Sequence, residues 1–305
     1  MGTFESTGGR TTKRLTEAHA EIMGEAAGDI AFLHSVLCQC GLPYRPTDLR
    51  RWERRQGRAS LLVEAGEAID PATGSFVPLG LPHGERPRLA LIHLTTEALR
   101  TGSPEIEVET SLRGFAKSLG VDVNGPSLRM LRDQMTRLSV ATVRLGMVGA
   151  DGRAKQVQGH VVETLDLWSG DPAQRSLWPS TVTLGASYFA SVTQHAVPLD
   201  KRAVAALAGS AVALDAYAWL AQRLWRIEER NGQTVSWQAL KAQFGPDYKR
   251  EIDFRRRFQR TLQHVLAVYP SAHVEVTDSG VQLWPSRPPV ERPIMQLGGV
   301  GKPMD

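Results

Sequence analysis

The sequence predicts an α+β protein in which two tandem winged-helix units, 88–185 and 186–287, follow an N-terminal extension (1–87) and precede a short tail (288–305). Three observations point there. The order helix, strand, helix, helix, hairpin occurs twice. The apolar positions of two helices in each copy repeat at a nearly fixed offset. Charge is concentrated on one helix of the second copy, where Lys249 to His264 (KREIDFRRRFQRTLQH) holds six basic residues against two acids, a balance of +4 that equals the formal net charge of the 305-residue chain.

Taken in order, residues 1–14 are small and polar and are expected to be mobile. A helical region is expected from Leu15 to Cys40, stopped by the prolines of LPYRPTD. A basic run (Arg50, Arg51, Arg54, Arg55, Arg58) then leads into strand-like ASLLVEAG and a Pro/Gly-rich stretch. The first unit begins with the amphipathic helix RLALIHLTTEALR, followed by the strand IEVE and the helices SLRGFAKSLG and SLRMLRDQMTRLS. A hairpin of ATVRLGMV and AKQVQGHVVETLDL around Gly149 to Arg153 completes that unit. Trp168, Trp178 and the alternating segment Leu177 to Leu184 read as sheet packing between the units. The second unit runs through a long helix (Ser210 to Glu229), the strand TVS, the helix WQALKAQFG, the basic helix, and HVEV and VQLW around Thr277 to Gly280. The last residues, rich in Pro and Gly without periodicity, read as a second mobile end.

The two copies align by side chain. Ser111-Leu112, Phe115 and Leu119-Gly120 correspond to Ser236-Trp237, Leu240 and Phe244-Gly245 at an offset of 125, and Leu131, Met135 and Leu138 to Phe258, Leu262 and Val265 at 127. In each, Ser suits a helix N-cap and Gly a left-handed turn before the next helix.

Projected as a helix, the basic segment gathers Phe254, Phe258, Leu262, Val265 and Leu266 into an apolar stripe, with Lys249, Asp253, Arg256, Arg260, Gln263 and His264 opposite. A buried face backed by long hydrogen-bond donors is what reading the DNA major groove requires, and Arg can bond guanine bidentately. Lys249, Arg250, Arg255 and Arg257 are the phosphate candidates beside the base-reading pair Arg256 and Arg260, with Gln263 and His264 further along the same face. The equivalent helix of the first unit carries Arg129, Arg132 and Arg137, which suit either auxiliary contacts to the DNA backbone or a protein interface for dimerisation.

Composition bounds the alternatives. A 42% hydrophobic, 22% charged chain builds real cores, and its small basic excess, at a pI near 9.2, confines electrostatic binding to local patches. Cys38 and Cys40 are spaced wrongly for an ordinary disulfide, so the chain reads as cytoplasmic. The most apolar stretch, Ala203 to Ala221, is interrupted by Asp215 and reads as buried helix, so no membrane role is expected. His34 with Cys38 and Cys40 lacks a second ligand pair, and no metal or cofactor is expected. No P-loop and no paired-His nicking motif is present; Gly298-Gly299-Val300-Gly301 has no strand before it and no helix after it. The expected activity is binding, not catalysis. A repressor of the same fold acting on an inverted repeat, and a primase or nicking enzyme, are the alternatives.

Several segments, taken as a set, carry a resemblance: Phe32-Leu33-His34-Ser35 with Cys38-Gln39, Leu42-Pro43-Tyr44-Arg45, Leu81-Pro82-His83-Gly84 running into Pro87-Arg88-Leu89, and Glu97-Ala98-Leu99-Arg100-Thr101-Gly102. Over about residues 30 to 287 the chain resembles the RepA-type plasmid replication initiators. The resemblance implies a non-enzymatic protein that binds direct repeats (iterons) in double-stranded origin DNA, opens the origin and recruits the host initiator DnaA and the replicative helicase. It also implies a monomer–dimer equilibrium, with dimers on an inverted repeat at the protein's own promoter, and a C-terminal unit that is the main reader through Lys249, Arg256, Arg257 and Arg260.

Overall fold

The computed structural model describes residues 5–25, 29–70, 72–109, 111–149, 151–164 and 181–290. The N-terminal region holds α1 (Glu5–Gly24), β1 (Ile30–His34), α2 (Ser35–Gln39), β2 (Arg51–Gln56), β3 (Ala59–Glu64), β4 (Glu67–Ile69) and β5 (Phe76–Pro78). The first unit follows as α3 (Glu85–Thr101), β6 (Glu105–Glu107), α4 (Leu112–Ser118), α5 (Gly125–Val140), β7 (Thr142–Val148), β8 (Ala154–His160), β9 (Val162–Thr164) and β10 (Thr181–Leu184). A connector of α6 (Ala186–His195), β11 (Ala196–Asp200) and α7 (Lys201–Leu207) precedes α8 (Ala211–Arg223), a 3-10 turn (Leu224–Arg226), β12 (Gln233–Ser236), α9 (Trp237–Phe244), α10 (Glu251–Ala267), β13 (Val274–Val276) and β14 (Gly280–Leu283). The chain is therefore of mixed α+β class.

The two units share one sheet order. Strands β6, β10 and β9 lie in the order β6-β10-β9, and β12, β14 and β13 in the order β12-β14-β13, so in both units the first strand pairs with the last. The expected hairpin of the first unit needs correction. Strands β7 and β8 do pair around Gly149 to Arg153, but they join β2 and β3 in a separate four-stranded sheet, β2-β3-β7-β8. They are an insertion between α5 and β9. The cause is burial: Ala59, Leu61 and Val63 of β3 and Val143 and Leu145 of β7 share one covered face, which neither hairpin could bury alone. Residues 165–180, with Trp168 and Trp178, lie outside the described residues, and so do Leu177 to Ser180 of the expected alternating segment.

Four further expectations change. The segment read as one helix from Leu15 to Cys40 is α1, β1 and α2: Ile30–His34 pairs antiparallel with Ala196–Asp200, and long-range pairing overrides local pattern. Residues 5–14, expected to be mobile, already belong to α1, which lies on α7 and α10. The long helix from Ser210 ends at Arg223 and its 3-10 turn, short of Glu229. Of the expected mobile tail, 288–290 is placed with Val290 buried, and 291–305 lies outside the described residues.

Helix starts follow local chemistry. The hydroxyls of Ser111, Ser210 and Ser236 and the Asn124 side chain each accept the backbone N–H of the residue three positions on, with Pro126 in the first turn of α5. Helix α3 starts after Gly84 (φ 80°) and ends at Gly102 (φ 69°), left-handed values that glycine adopts without strain.

At the centre, Arg88 of α3 is 5% exposed and meets Asp215 of α8 through Nε–Oδ1 at 2.7 Å and Nη2–Oδ2 at 2.8 Å. Its remaining donors reach the carbonyls of Pro43 (3.2 Å), Gly84 (2.7 Å) and Leu42 (2.6 Å), and its guanidinium lies 4.8 Å from the Tyr44 ring centroid. Burial alone lowers the Arg88 pKa, but the Asp215 carboxylate more than offsets it, so the guanidinium stays charged. A Cβ on Gly41 would collide with the Asp215 carboxylate, so only glycine fits there. Asp215→Asn leaves a buried charge uncompensated and is expected to lower unfolding free energy by about 3 to 5 kcal/mol in urea titrations followed by Trp fluorescence, with Arg88→Met/Asp215→Leu recovering most of the loss.

His34, buried at 2% exposure, accepts the Val36 N–H on Nδ1 (3.1 Å), so Nε2 carries the proton toward Ser191 Oγ (2.9 Å). Burial, and then the nearby His195, lower its pKa to about 4. A base that is harder to protonate folded than unfolded contributes stability fully above its ordinary pKa, about 6.5, and loses it as pH falls toward about 4. Global stability should therefore drop by about 3 kcal/mol over that window from this residue, a slope that His34→Gln flattens in pH-dependent urea melts.

Candidate nucleic-acid interface

The second unit holds α10 against its neighbours through aromatic packing. Phe254 stacks on Phe258 (5.3 Å between centroids), Phe258 on Phe244 (5.0 Å), and Phe244 meets Trp219 edge-on (5.4 Å). Phe254 and Phe258, with Leu262 and Val265, belong to the predicted apolar stripe, each at most 1% exposed, while Leu266 is only half-buried. The paired positions of the first unit, Phe115, Leu131, Met135 and Leu138, are equally buried. The two glycines differ. Gly120 adopts the expected left-handed turn at φ 68°. Gly245 does not (φ −151°); it is required because a Cβ would collide with the Phe254 ring, so the α9–α10 turn is set by contact.

On the other face of α10, Arg256, Arg257, Arg260 and Gln263 are exposed. The three arginines have no ion-pair partner among the described residues. The neighbouring cations have separate fates. Lys249 and Arg250 precede the helix instead of lying on it; Arg250 occupies the N-cap and reaches Asp253 at 3.6 Å. Arg255 is drawn inward, 2.6 Å from Glu251 and 5.3 Å from the Trp237 ring centroid, so it links α9 to α10. Trp237 stands in the sequence repeat opposite Leu112, but its contact with Arg255 is set by the packing of α9 on α10 and has no signal in the sequence. His264 is half-buried, and burial followed by Arg257 and Arg260 lowers its pKa, leaving a neutral imidazole at neutral pH. Helix α1 reaches α10 at its far end, with His19 Nδ1 2.7 Å from the Ala267 carbonyl, and leaves the arginine-bearing half uncovered.

The β13–β14 turn is tied to α9, since Trp237 donates Nε1–H to Thr277 O (3.1 Å) and N–H to Ser279 O (3.2 Å). Its exposed charges, Glu275 and Asp278, are acidic, which disfavours contact of this turn with phosphates. In the first unit Arg129 is exposed and Arg132 half-buried. Arg137 is held by Asp133 at 2.9 Å and lies so close to Gly80 that a Cβ there would meet its guanidinium.

Elsewhere, Cys38 and Cys40 are buried free thiols, and burial pushes Cys40 up to about 12. Among the described residues no group of three or more His, Cys, Asp or Glu is placed to hold a metal, and no helix is long and apolar enough to cross a membrane.

A donor-rich cationic helix face backed by an apolar core belongs to the class of surfaces that can meet a polyanion. The family comparison agrees: residues 81–239 match the plasmid-encoded RepA proteins, and the chain belongs to that family, the RepA-type plasmid replication initiators. The matched segment runs from just before α3 into α9 and stops short of α10. Two crystal structures of domains 2 and 3 of RctB are similar, one at 12% identity and TM-score 0.48 over 79% of this chain and 88% of that one, the other at 10% and 0.47 over 78% and 83%. No curated protein matches.

Gly245→Ala forces Phe254 or the turn to move and should cost about 1 to 3 kcal/mol of stability in chemical denaturation, whereas Gly9→Ala, with open space around it, should cost less than about 0.5 kcal/mol.

Proposed function

We propose that both units are winged-helix modules and that the protein is a sequence-specific, non-enzymatic initiator that binds direct repeats in its plasmid origin through α10. In this reading α10 lies in the major groove, Arg256 and Arg260 bond base edges, and Arg257 and Lys249 bond flanking phosphates. Arg129 and Arg132 of α5 supply auxiliary contacts. Binding distorts the adjacent duplex and presents the protein to the host initiator DnaA and the replicative helicase; dimers occupy an inverted repeat at the promoter.

The observation that supports this reading is the fate of the charges on α10. Arg255 and Arg250 are occupied by intramolecular partners, while Arg256, Arg257 and Arg260 stand on one exposed face with none among the described residues. Unpaired arginines on a rigidly backed helix keep their donors for a ligand, and little side-chain or backbone rearrangement is needed to meet one.

Arg256→Ala and Arg260→Ala are each expected to weaken binding to the origin repeat by about 1 to 3 kcal/mol and to reduce discrimination against a scrambled repeat in fluorescence-anisotropy titrations. Unchanged affinity in both variants would remove α10 as the reader.

A further inference from the structure

The five arginines between Arg50 and Arg58 have unequal roles. Arg50 donates to the carbonyls of Leu79 (3.3 Å) and Ala65 (3.1 Å), Arg51 pairs with Glu53 at 3.1 Å, and Arg54 lies 3.8 Å from the Trp52 ring centroid. Arg55 and Arg58 remain, exposed and without an ion-pair partner among the described residues. The strand register brings two more cations to them from about a hundred residues away. Ala59 lies opposite Met147 and Met147 opposite Lys155, and the Val148 N–H donates to the Arg58 carbonyl at 2.9 Å. The β2–β3 and β7–β8 turns thus share one end of the four-stranded sheet, which gathers Arg55, Arg58, Arg153 and Lys155, all exposed. The opposing charge beside them is Asp151, 3.7 Å from Arg153 with both side chains mostly in water, too weakly coupled to cancel the group.

We propose that this cationic rim is a second nucleic-acid contact that grips the phosphate backbone beside the DNA read by α10. The proposal rests on the α10 reading above and extends it to a surface outside both repeated units. From β2 to β8 the sheet spans three strand spacings, roughly 14 Å, which is about four base-pair rises along a duplex axis. Arg153 and Lys155, with His195, line part of a cleft of about 420 Å³ at this end of the sheet, and Arg55 and Arg58 lie beyond it across the sheet. Strand β2 also approaches the turn that enters α10, since Arg54, next to Arg55, is near enough to Asp247 to feel its charge. Chemistry favours a polyanion over a protein partner. None of the large exposed apolar side chains lies among the rim residues, whereas a protein interface presents an apolar centre and phosphate needs cations alone.

The test is Arg55→Ala/Arg58→Ala/Arg153→Ala/Lys155→Ala in the full chain, titrated by anisotropy at several salt concentrations. The probes are a duplex holding one origin repeat with about one helical turn on each side and a scrambled duplex of equal length. The rim predicts an affinity loss of about tenfold on both duplexes, an unchanged ratio between them, and a salt slope shallower by about 2 to 3. An unaltered unfolding midpoint checks the fold. Unchanged affinity and slope, with Arg256→Ala and Arg260→Ala still losing discrimination, would overturn the rim and leave the α10 reading intact. A changed ratio between duplexes would overturn its role as a backbone contact. Silence of the α10 variants beside a flatter slope in the rim variant would overturn the pairing of the rim with α10.

Discussion

One guanidinium ties the molecule together. Arg88 has five N–H donors, and all five are used, two on Asp215 and one each on Leu42, Pro43 and Gly84. Those partners come from the first helix of the second unit, from the N-terminal region and from the start of the helix that bears Arg88. Three parts of the chain therefore share one buried charge, and removing any of them leaves that charge less well compensated. The surroundings are shaped to it: Gly41 lacks a Cβ where the carboxylate approaches, Gly84 takes a left-handed conformation to open the helix, and Tyr44 covers the guanidinium. The relation of the two units is set by these bonds as well as by the apolar core, because hydrogen bonds have direction and hydrophobic contact has little.

Much of this architecture is legible in the sequence because the duplicated units obey local rules. Ser111 and Ser236 cap as their side chains demand, and the spacing of Phe115, Leu131, Leu240 and Phe258 carries the buried faces directly. What was misread depends on partners far along the chain. Ile30–His34 has no local reason to be a strand; it becomes one against Ala196–Asp200. Strands β7 and β8 form the hairpin their sequence announces, yet its placement beside β2 and β3 follows from burial of the β3 face, which no turn signal encodes. Gly245 is similar: its presence is visible, but its cause, the Phe254 ring, is not.

The basic segment shows the same limit at the scale of single side chains. Helical projection separates an apolar from a polar face, and α10 keeps that division. It cannot distinguish an arginine that is free from one that is spent, and Arg255 and Arg256 are adjacent in sequence with opposite fates. The difference lies in Trp237, on another helix. Charge counting over the segment therefore overstates the cations available to a ligand, and geometry selects Arg256, Arg257 and Arg260.

The pairing of β1 with β11 also bears on how the chain is made. Ala31 pairs with Leu199, about 170 residues downstream, so during synthesis β1 emerges long before its partner. At roughly 5 to 20 residues per second the wait is on the order of ten seconds or more. Throughout it, an apolar strand that ends up buried stands with its edge open, the state in which strands recruit wrong neighbours. Contacts of this range also slow folding once the chain is complete. A chain whose synthesis stops before residue 196 lacks the strand that covers Ile30–His34, and its open edge is expected to favour aggregation.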